Sequence, residues 1–308
     1  MKRLLPLLLL SATLTRAADP AALQAALDRA VADTRAEFTA PALGAEQLAV
    51  TVIDLRGGGA VRAHYRGEER IYPASVIKLF YLAYAQRRLE DGQLADTPEL
   101  QRALKDMIVE SYNDATASVI DYISGTTGGP ELPPAELAAW HEKRMVVTRY
   151  FEALGYRNVL AVRKTWAEGP YGREKQDATV NLPARNYLST NDTARLLEEI
   201  AAGRCVTPAR SAQILALIAR DPQQAPPGAD DGEDYEGVGF TGPGLSPGMK
   251  LWSKAGWVSW ARHDAALIEL PDGGRVIIVT FTDGKEHSKN RKIIAAVARR
   301  VLAHLPGR

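Results

Sequence analysis

Ser75 and Lys78 stand three positions apart in the segment Tyr72–Ala85, YPASVIKLFYLAYA. The rest of that run is almost wholly apolar, so a helix here buries nearly its whole circumference. An unpaired buried ammonium is costly, and the lysine must therefore be paired, neutral or used. A helix sets Ser75 on the same face, one turn away. Pro73 marks the helix start, and a helix N-terminus has free N–H groups and a positive dipole end that favour an oxyanion formed at a serine. Burial lowers a lysine pKa, which makes the neutral amine a proton acceptor for that hydroxyl. Two other patterns carry similar potential. Ser111-Tyr112-Asn113 lies in MIVESYNDATASVID, between apolar segments, though the same residue types serve as helix N-caps. Lys254-Ala255-Gly256 lies on a strand-like run, where a glycine lets a ligand approach the backbone closely. None of the three is distinctive alone, and a second S-x-N occurs at Ser189-Thr190-Asn191.

The elements that must position these residues are readable from periodicity and turn chemistry. AALQAALDRAVADTRAEF has the spacing of an amphipathic helix. Leu48–Leu55, the Gly57-Gly58-Gly59 turn and AVRAHY predict a hairpin. Tyr72–Glu90 is expected as a helix ending at Asp91-Gly92, with helical patterns around Leu100–Ile108, Ala115–Ile123 and Ala135–Leu154. Arg163–Leu188 has little periodicity and is expected as a long loop; Thr190-Asn191-Asp192 offers caps for TARLLEEIAAG. Asp221–Gly248, rich in Pro, Gly and Asp, is expected as a mobile surface loop. Strand-like KLWSKAGWVSW, DAALIEL and RVIIVTFT follow, the last two joined by Pro271-Asp272-Gly273-Gly274, and KIIAAVARRVLAHL closes the chain as a helix. The order predicts an α/β (α+β) fold: an antiparallel sheet flanked by the N- and C-terminal helices, plus an all-helical lobe. The expected sheet lobe is about 19–70 and 249–308 and the helical lobe about 71–248, one catalytic domain over 19–308 with its site between the lobes.

Composition narrows the classes. The 308 residues carry 38 basic and 37 acidic side chains, a balance that argues against a nucleic-acid binder. MKRLLPLLLLSATLTRAADP has a basic start, a Leu-rich core too short to span a bilayer and a small-residue cleavage site, so residues 1–18 are expected as a signal peptide. No cysteine lies near that site to carry a lipid anchor. The expectation is an exported monomer, periplasmic or secreted, with no membrane anchor after cleavage. Cys205 is the single cysteine, which excludes an intramolecular disulfide and reads as a buried, inert thiol. Two apparent motifs are decoys. Gly244-Leu245-Ser246-Pro247-Gly248 spells G-x-S-x-G, but Pro247 lacks the N–H that such an elbow needs. His141-Glu142 has Met145 where H-E-x-x-H requires a second histidine, so no metal is expected.

S-x-x-K, S-x-N and K-x-G in that order, each in a fitting local setting, are the set found in class A β-lactamases and penicillin-binding proteins. With YPASVIKLF, SYNDAT, STNDTARLLEEIAAG and KAGWVSWARHDAALIELPDGGRVIIV around them, the chain resembles class A β-lactamase-like serine hydrolases over nearly all of its mature length. The resemblance implies Ser75 as the acylated nucleophile and Lys78 as the acceptor or relay of its proton. It implies Ser111 as proton donor to the leaving nitrogen, Asn113 as a holder of the substrate amide and Lys254 as positive charge near a substrate carboxylate. Gly256 would admit the substrate, and the backbone N–H groups of Ser75 and Trp257 would form the oxyanion hole. Arg262 either assists carboxylate binding or is a surface arginine. Tyr112 stands where the family has Asp, and Ala255 where it has Thr or Ser. For deacylation the family uses a glutamate in E-x-x-x-N. Glu168 and Glu174 are the candidates, but Gly172 and Ala178 occupy the fourth position after them. The expected activity is hydrolysis of β-lactam amides without cofactor or metal. The alternatives are a penicillin-binding peptidase or transpeptidase acting on peptidoglycan peptides, another serine amidase or esterase, or a non-catalytic binding module.

Overall fold

The computed structural model describes residues 19–166, 168–183, 185–225 and 235–307. The expected signal peptide, 1–18, lies outside them, as does 226–234 of the Pro/Gly-rich stretch. Among the described residues no helix is long and apolar enough to cross a membrane.

Helix α1 (Pro20–Glu37) starts at Asp19, whose carboxylate accepts from Ala21 N at 3.0 Å, with Pro20 in its first turn. Strands β1 (Leu48–Asp54) and β2 (Val61–Tyr65) form the expected hairpin, Val52 opposite Ala63. Then come α2 (Ile77–Glu90), α3 (Pro98–Ile108), α4 (Asn113–Ser124), α5 (Pro134–Arg144), α6 (Val146–Ala153), β3 (Val159–Leu160), α7 (Gly172–Val180), β4 (Tyr187–Leu188), α8 (Thr190–Ala201), α9 (Pro208–Ile218) and β5 (Ala219–Arg220). The chain ends with β6 (Lys250–Val258), β7 (Ala261–Glu269), β8 (Arg275–Asp283), α10 (Lys285–Lys289) and α11 (Lys292–His304).

Six strands form one antiparallel sheet in the order β2-β1-β8-β7-β6-β5. Strand β1 is buried along its whole length because both faces are covered. Its alternating residues divide between two layers. Leu48, Val50 and Val52 pack with Leu23, Leu27, Val297 and Val301 of α1 and α11. Ala49 and Ile53 face Phe80 of α2 and Leu197 of α8. Strand β8 divides likewise, with Ile278 towards the terminal helices and Ile277 and Val279 towards the others.

Five local expectations change. Tyr72–Glu90 opens as a 3₁₀ turn, Ala74–Val76, before α2 begins. Ala135–Leu154 is two helices, interrupted at Met145. Arg163–Leu188 contains α7 and β4 rather than only loop. The cap of α8 is Ser189, whose Oγ accepts from Asp192 N at 3.1 Å. Within Asp221–Gly248, residues 236–242 are packed rather than a surface loop: Glu236, Phe240 and Thr241 are buried, and Phe240 joins Ala255 and Ile294 in a small apolar cluster, while 246–248 are exposed.

Candidate active site

Ala74 adopts φ +46°, a left-handed conformation that a residue with a Cβ rarely takes. The chain cannot enter a regular helix there, so a 3₁₀ turn intervenes and Ser75 is turned outward. Between Pro73 and Gln86, Ser75 alone is not buried. Two neighbours hold this turn. His263 of β7 donates from Nε2 to Tyr72 O at 2.8 Å, while its Nδ1 accepts from Thr282 N at 3.2 Å. Burial pushes this imidazole down to about 4, so it is neutral and its tautomer follows from the two bonds. Gly256 of β6 lies against the turn itself. A Cβ there would sit 2.7 Å from Ser75 N, 2.8 Å from Pro73 O and 3.0 Å from Val76 N. Trp257 follows Gly256, half-exposed, its indole N–H donating to Ser288 O at 3.1 Å.

Lys78, in the first turn of α2, is fully buried. Burial, and then the nearby charge of Lys254, hold its pKa well below the ordinary lysine value. Its Nζ lies 2.5 Å from Ser111 O, 3.0 Å from Asn113 Oδ1 and 3.2 Å from Ser111 Oγ. Three oxygen acceptors thus surround Nζ, and in the neutral form the amine would have two N–H groups and one lone pair to divide among them. Ser111 is itself left-handed, at φ +56°, just before α4. Its Oγ also accepts from Lys254 Nζ at 3.0 Å, so the hydroxyl joins the two lysines. Asn113, the first residue of α4, donates from Nδ2 to Trp166 O at 3.1 Å and ties the Arg163–Leu188 segment to the site. A cavity of about 600 Å³ opens beside Ser111, Tyr112 and Asn113. A larger one, about 770 Å³, lined by Arg62, His64, Glu198 and Cys205 among others, includes none of these residues.

The structure therefore brings together Ser75, Lys78, Ser111, Asn113, Lys254 and Gly256, with Trp257 adjoining. Both glutamates take their partners outside this group. Glu174 on α7 is buried and ion-paired to Arg144 and, at 3.3 Å, to Lys164. Asp121 holds the same two cations at 2.9 and 2.7 Å, and Trp140 stacks on Arg144 with 4.5 Å to its ring centroid. This is a closed charge cluster that anchors α7. Glu168 is exposed and accepts from Tyr171 OH at 3.0 Å. Among the described residues no carboxylate pairs with Lys78, whose partners are Ser111 and Asn113. Arg262 is buried rather than on the surface; it donates to Gly239 O at 2.7 Å and lies over the Phe240 ring.

Several supporting residues had no local signal in the sequence. Arg163 and Asp177 pair across the ends of the long loop; Asp177 also meets His141 Nδ1 at 2.9 Å and accepts from Asn181 Nδ2 at 2.6 Å. The histidine of the H-E decoy is thus part of this clasp. Glu236 pairs with both Lys254 and Arg220, and these two cations hold its carboxyl below the usual range against the opposing effect of burial. Cys205 is buried, its thiol pushed up to about 12 by burial and by Glu199, which fits an inert thiol.

The model of the β-lactamase enzyme family matches residues 95–305, more than half of the chain, and the protein belongs to that family. The match takes in Ser111, Asn113 and Lys254 and begins after Ser75 and Lys78. The fold is the one seen in solved β-lactamases and in PBP-A. A β-lactamase from Xanthomonas campestris superposes with a TM-score of 0.64 at 16% identity, over 92% of this chain and 99% of that one. A β-lactamase from Sphaerobacter thermophilus gives 0.62 at 17%, over 91% and 97%. A mutant of PBP-A, solved as an acyl-enzyme complex with penicillin G, gives 0.60 at 16%, over 90% and 96%. No curated protein matches the chain.

Proposed function

We propose that this protein is an exported serine hydrolase whose Ser75 is acylated by β-lactam amides, with deacylation slower than acylation. One observation carries the acylation step. Ser75 is the lone solvent-reaching residue of a buried run, one turn from a lysine whose ammonium form is disfavoured, and that lysine connects through Ser111 to Lys254. Ser75 Oγ attacks the lactam carbonyl carbon as its proton passes to neutral Lys78. The oxyanion faces the backbone N–H groups of Ser75 and Trp257. The C–N bond then breaks, and Ser111 gives its proton to the leaving nitrogen while taking one from Lys78. An ester of Ser75 and a ring-opened amine result, with atoms and charge balanced. Slow deacylation follows from the closed cluster around Glu174 and the exposure of Glu168. It aligns the chain with the penicillin-binding alternative, and the acyl-enzyme solved for the PBP-A mutant supports that alignment. Export rests on the leader pattern of residues 1–18.

A second reading, rapid β-lactam hydrolysis, is favoured by the Asn113–Trp166 hydrogen bond, which keeps the Glu168 segment close to the site. Intact-protein mass spectrometry over time, with benzylpenicillin and its methyl ester in parallel, separates the two. A persistent adduct that is lost in Ser75→Ala is expected. Ring-opened product accumulating with no lasting adduct would establish the second reading. If neither compound labels Ser75, the acylation proposal fails.

A further inference from the structure

Lys254, expected to place positive charge near a substrate carboxylate, and Arg220, which shares Glu236 with it, are already saturated from within. Lys254 has three N–H donors, directed at Glu236 Oε1, Ser111 Oγ and Ala255 O. Arg220 has five. Nε and one Nη2 N–H meet Glu236 Oε2, at 3.3 and 2.9 Å; the other Nη2 N–H meets Ile108 O at 2.9 Å; and Nη1 donates to Leu217 O and Ala219 O at 2.9 and 3.0 Å. No donor on either side chain is left to offer. Both side chains are buried, Lys254 completely and Arg220 at 1% exposure. Glu236 spans them with one oxygen on each, the arrangement that an incoming carboxylate would itself adopt between two such cations. The neighbouring position, Ala255, has no hydroxyl to make up the loss. Glu236 is held in turn: Gly237 after it packs on Asp221 O, where a Cβ would fall at 2.1 Å, and Tyr235 O accepts from Val238 N and Gly239 N at 3.0 and 2.8 Å.

We infer that Glu236 is a built-in carboxylate filling the anion subsite beside Lys254, and that it makes the site select substrates with no carboxylate next to the scissile amide nitrogen. The inference rests on the proposed role of this site in binding β-lactam-like amides. A carboxylate substrate must displace Glu236 or meet its charge at close range, whereas an ester or amide at the same position needs no cation. A neutral glutamine keeps the shape of residue 236 but frees the charge of Lys254 and Arg220.

Equilibrium binding to Ser75→Ala protein, measured by calorimetry, removes acylation from the question. The ligands are benzylpenicillin and its methyl ester; the proteins are S75A and S75A/E236Q. The expected result is that S75A binds the ester at least as tightly as the acid. E236Q should then tighten the acid at least about tenfold, the scale of freeing one charged hydrogen-bonding site, and leave the ester within threefold. A general loosening of the fold would shift both ligands together, so the acid-to-ester ratio isolates the subsite. The inference is overturned if S75A prefers the acid tenfold, or if E236Q does not tighten the acid, whether both proteins bind it equally or neither binds it. Should the double variant not fold, the S75A ratio decides alone. Failure of the acylation proposal would look different: no adduct on the Ser75 protein, with the E236Q gain in acid binding intact.

Discussion

Gly256→Ala is the sharpest test of how the site is assembled. The added methyl would lie 2.7, 2.8 and 3.0 Å from Ser75 N, Pro73 O and Val76 N. All three are backbone atoms and cannot swing away as the end of a side chain could. Ordinary contact begins near 3.4 Å, so β6 and the 3₁₀ turn must part by roughly 0.7 Å, a forced overpacking of the kind that costs about 1–3 kcal/mol. In a domain of this size each kcal/mol lowers Tm by roughly 2–4 °C. If Ser75 is the nucleophile proposed above, the functional loss should be larger than the loss of stability, because the displaced atoms include its own N–H; a misplacement approaching 1 Å costs about 10²-fold in rate. Acylation by the methyl ester of benzylpenicillin, followed by intact mass, is expected to slow about a hundredfold at a temperature where the variant remains folded. Trp257→Ala, which keeps the backbone N–H, serves as the control and should stay within tenfold. A G256A protein that acylates within threefold of wild type would refute the close apposition of β6 and Ser75.

Three further outcomes follow from the same geometry. Because the Lys78 pKa is lowered, its neutral, proton-accepting form gains population as pH rises through that lowered value; the acylation rate should level off well before pH 10.5, and a rate still climbing at pH 10 would contradict the assignment. Lys78→Arg, which cannot deprotonate, should be at least about 10² slower throughout. Asp177→Asn strands Arg163 and His141 of the loop clasp; a loss of about 3–5 kcal/mol and new proteolytic cleavage within 164–181 are expected, and unchanged denaturation would show that the clasp is decorative. His263 and Asp264 are neighbours on β7 with opposite pH linkage. His263, lowered from 6.5 to about 4, is unprotonated in the fold, so its contribution is complete above pH 6.5 and is lost as pH falls to 4. Asp264, raised by burial from 3.8 to about 6, does the reverse, its contribution being complete below pH 3.8 and lost as pH rises through 6. Each is worth roughly 3 kcal/mol, so they nearly cancel. Relative to wild type, Asp264→Asn should gain stability between pH 4 and 6 and His263→Gln should lose it between pH 4 and 6.5; parallel urea curves across that range would refute both.

The parts legible in the sequence are those whose signal is local. The strands β1, β2, β6, β7 and β8 announce themselves by β-branched runs between Gly and Pro turns, and α1 and α11 by their apolar spacing. Ser75, Lys78, Ser111, Asn113, Lys254 and Gly256 are legible because each motif closes within a few positions. Helix α7 is not, since GREKQDATV has no apolar stripe: its buried side chains are Glu174 and Asp177, held by ion pairs with residues far away in sequence. The turn at Ser75 reads as plain helix in the sequence, because no residue type marks a left-handed alanine. Glu236 was hidden by its setting. It sits in a Pro-, Gly- and Asp-rich stretch whose composition suggests solvent, and only the meeting of β5 and β6 brings Arg220 and Lys254 to it.

The hydrogen bond from His263 to Tyr72 spans 191 positions, and β1 pairs with β8 from Leu48 opposite Thr282. Ser75 is therefore made early in synthesis, while the strand that flanks it and the histidine that props its turn are made late. A ribosome that has finished α2 has produced Ser75 and Lys78 but nothing to hold them in place. The closure of so long a span is slow compared with local helix formation. A chain stopped before β7 would retain every residue of the first two motifs and have no site. The surroundings of Ser75 are thus completed only when the C-terminal strands have folded onto the turn.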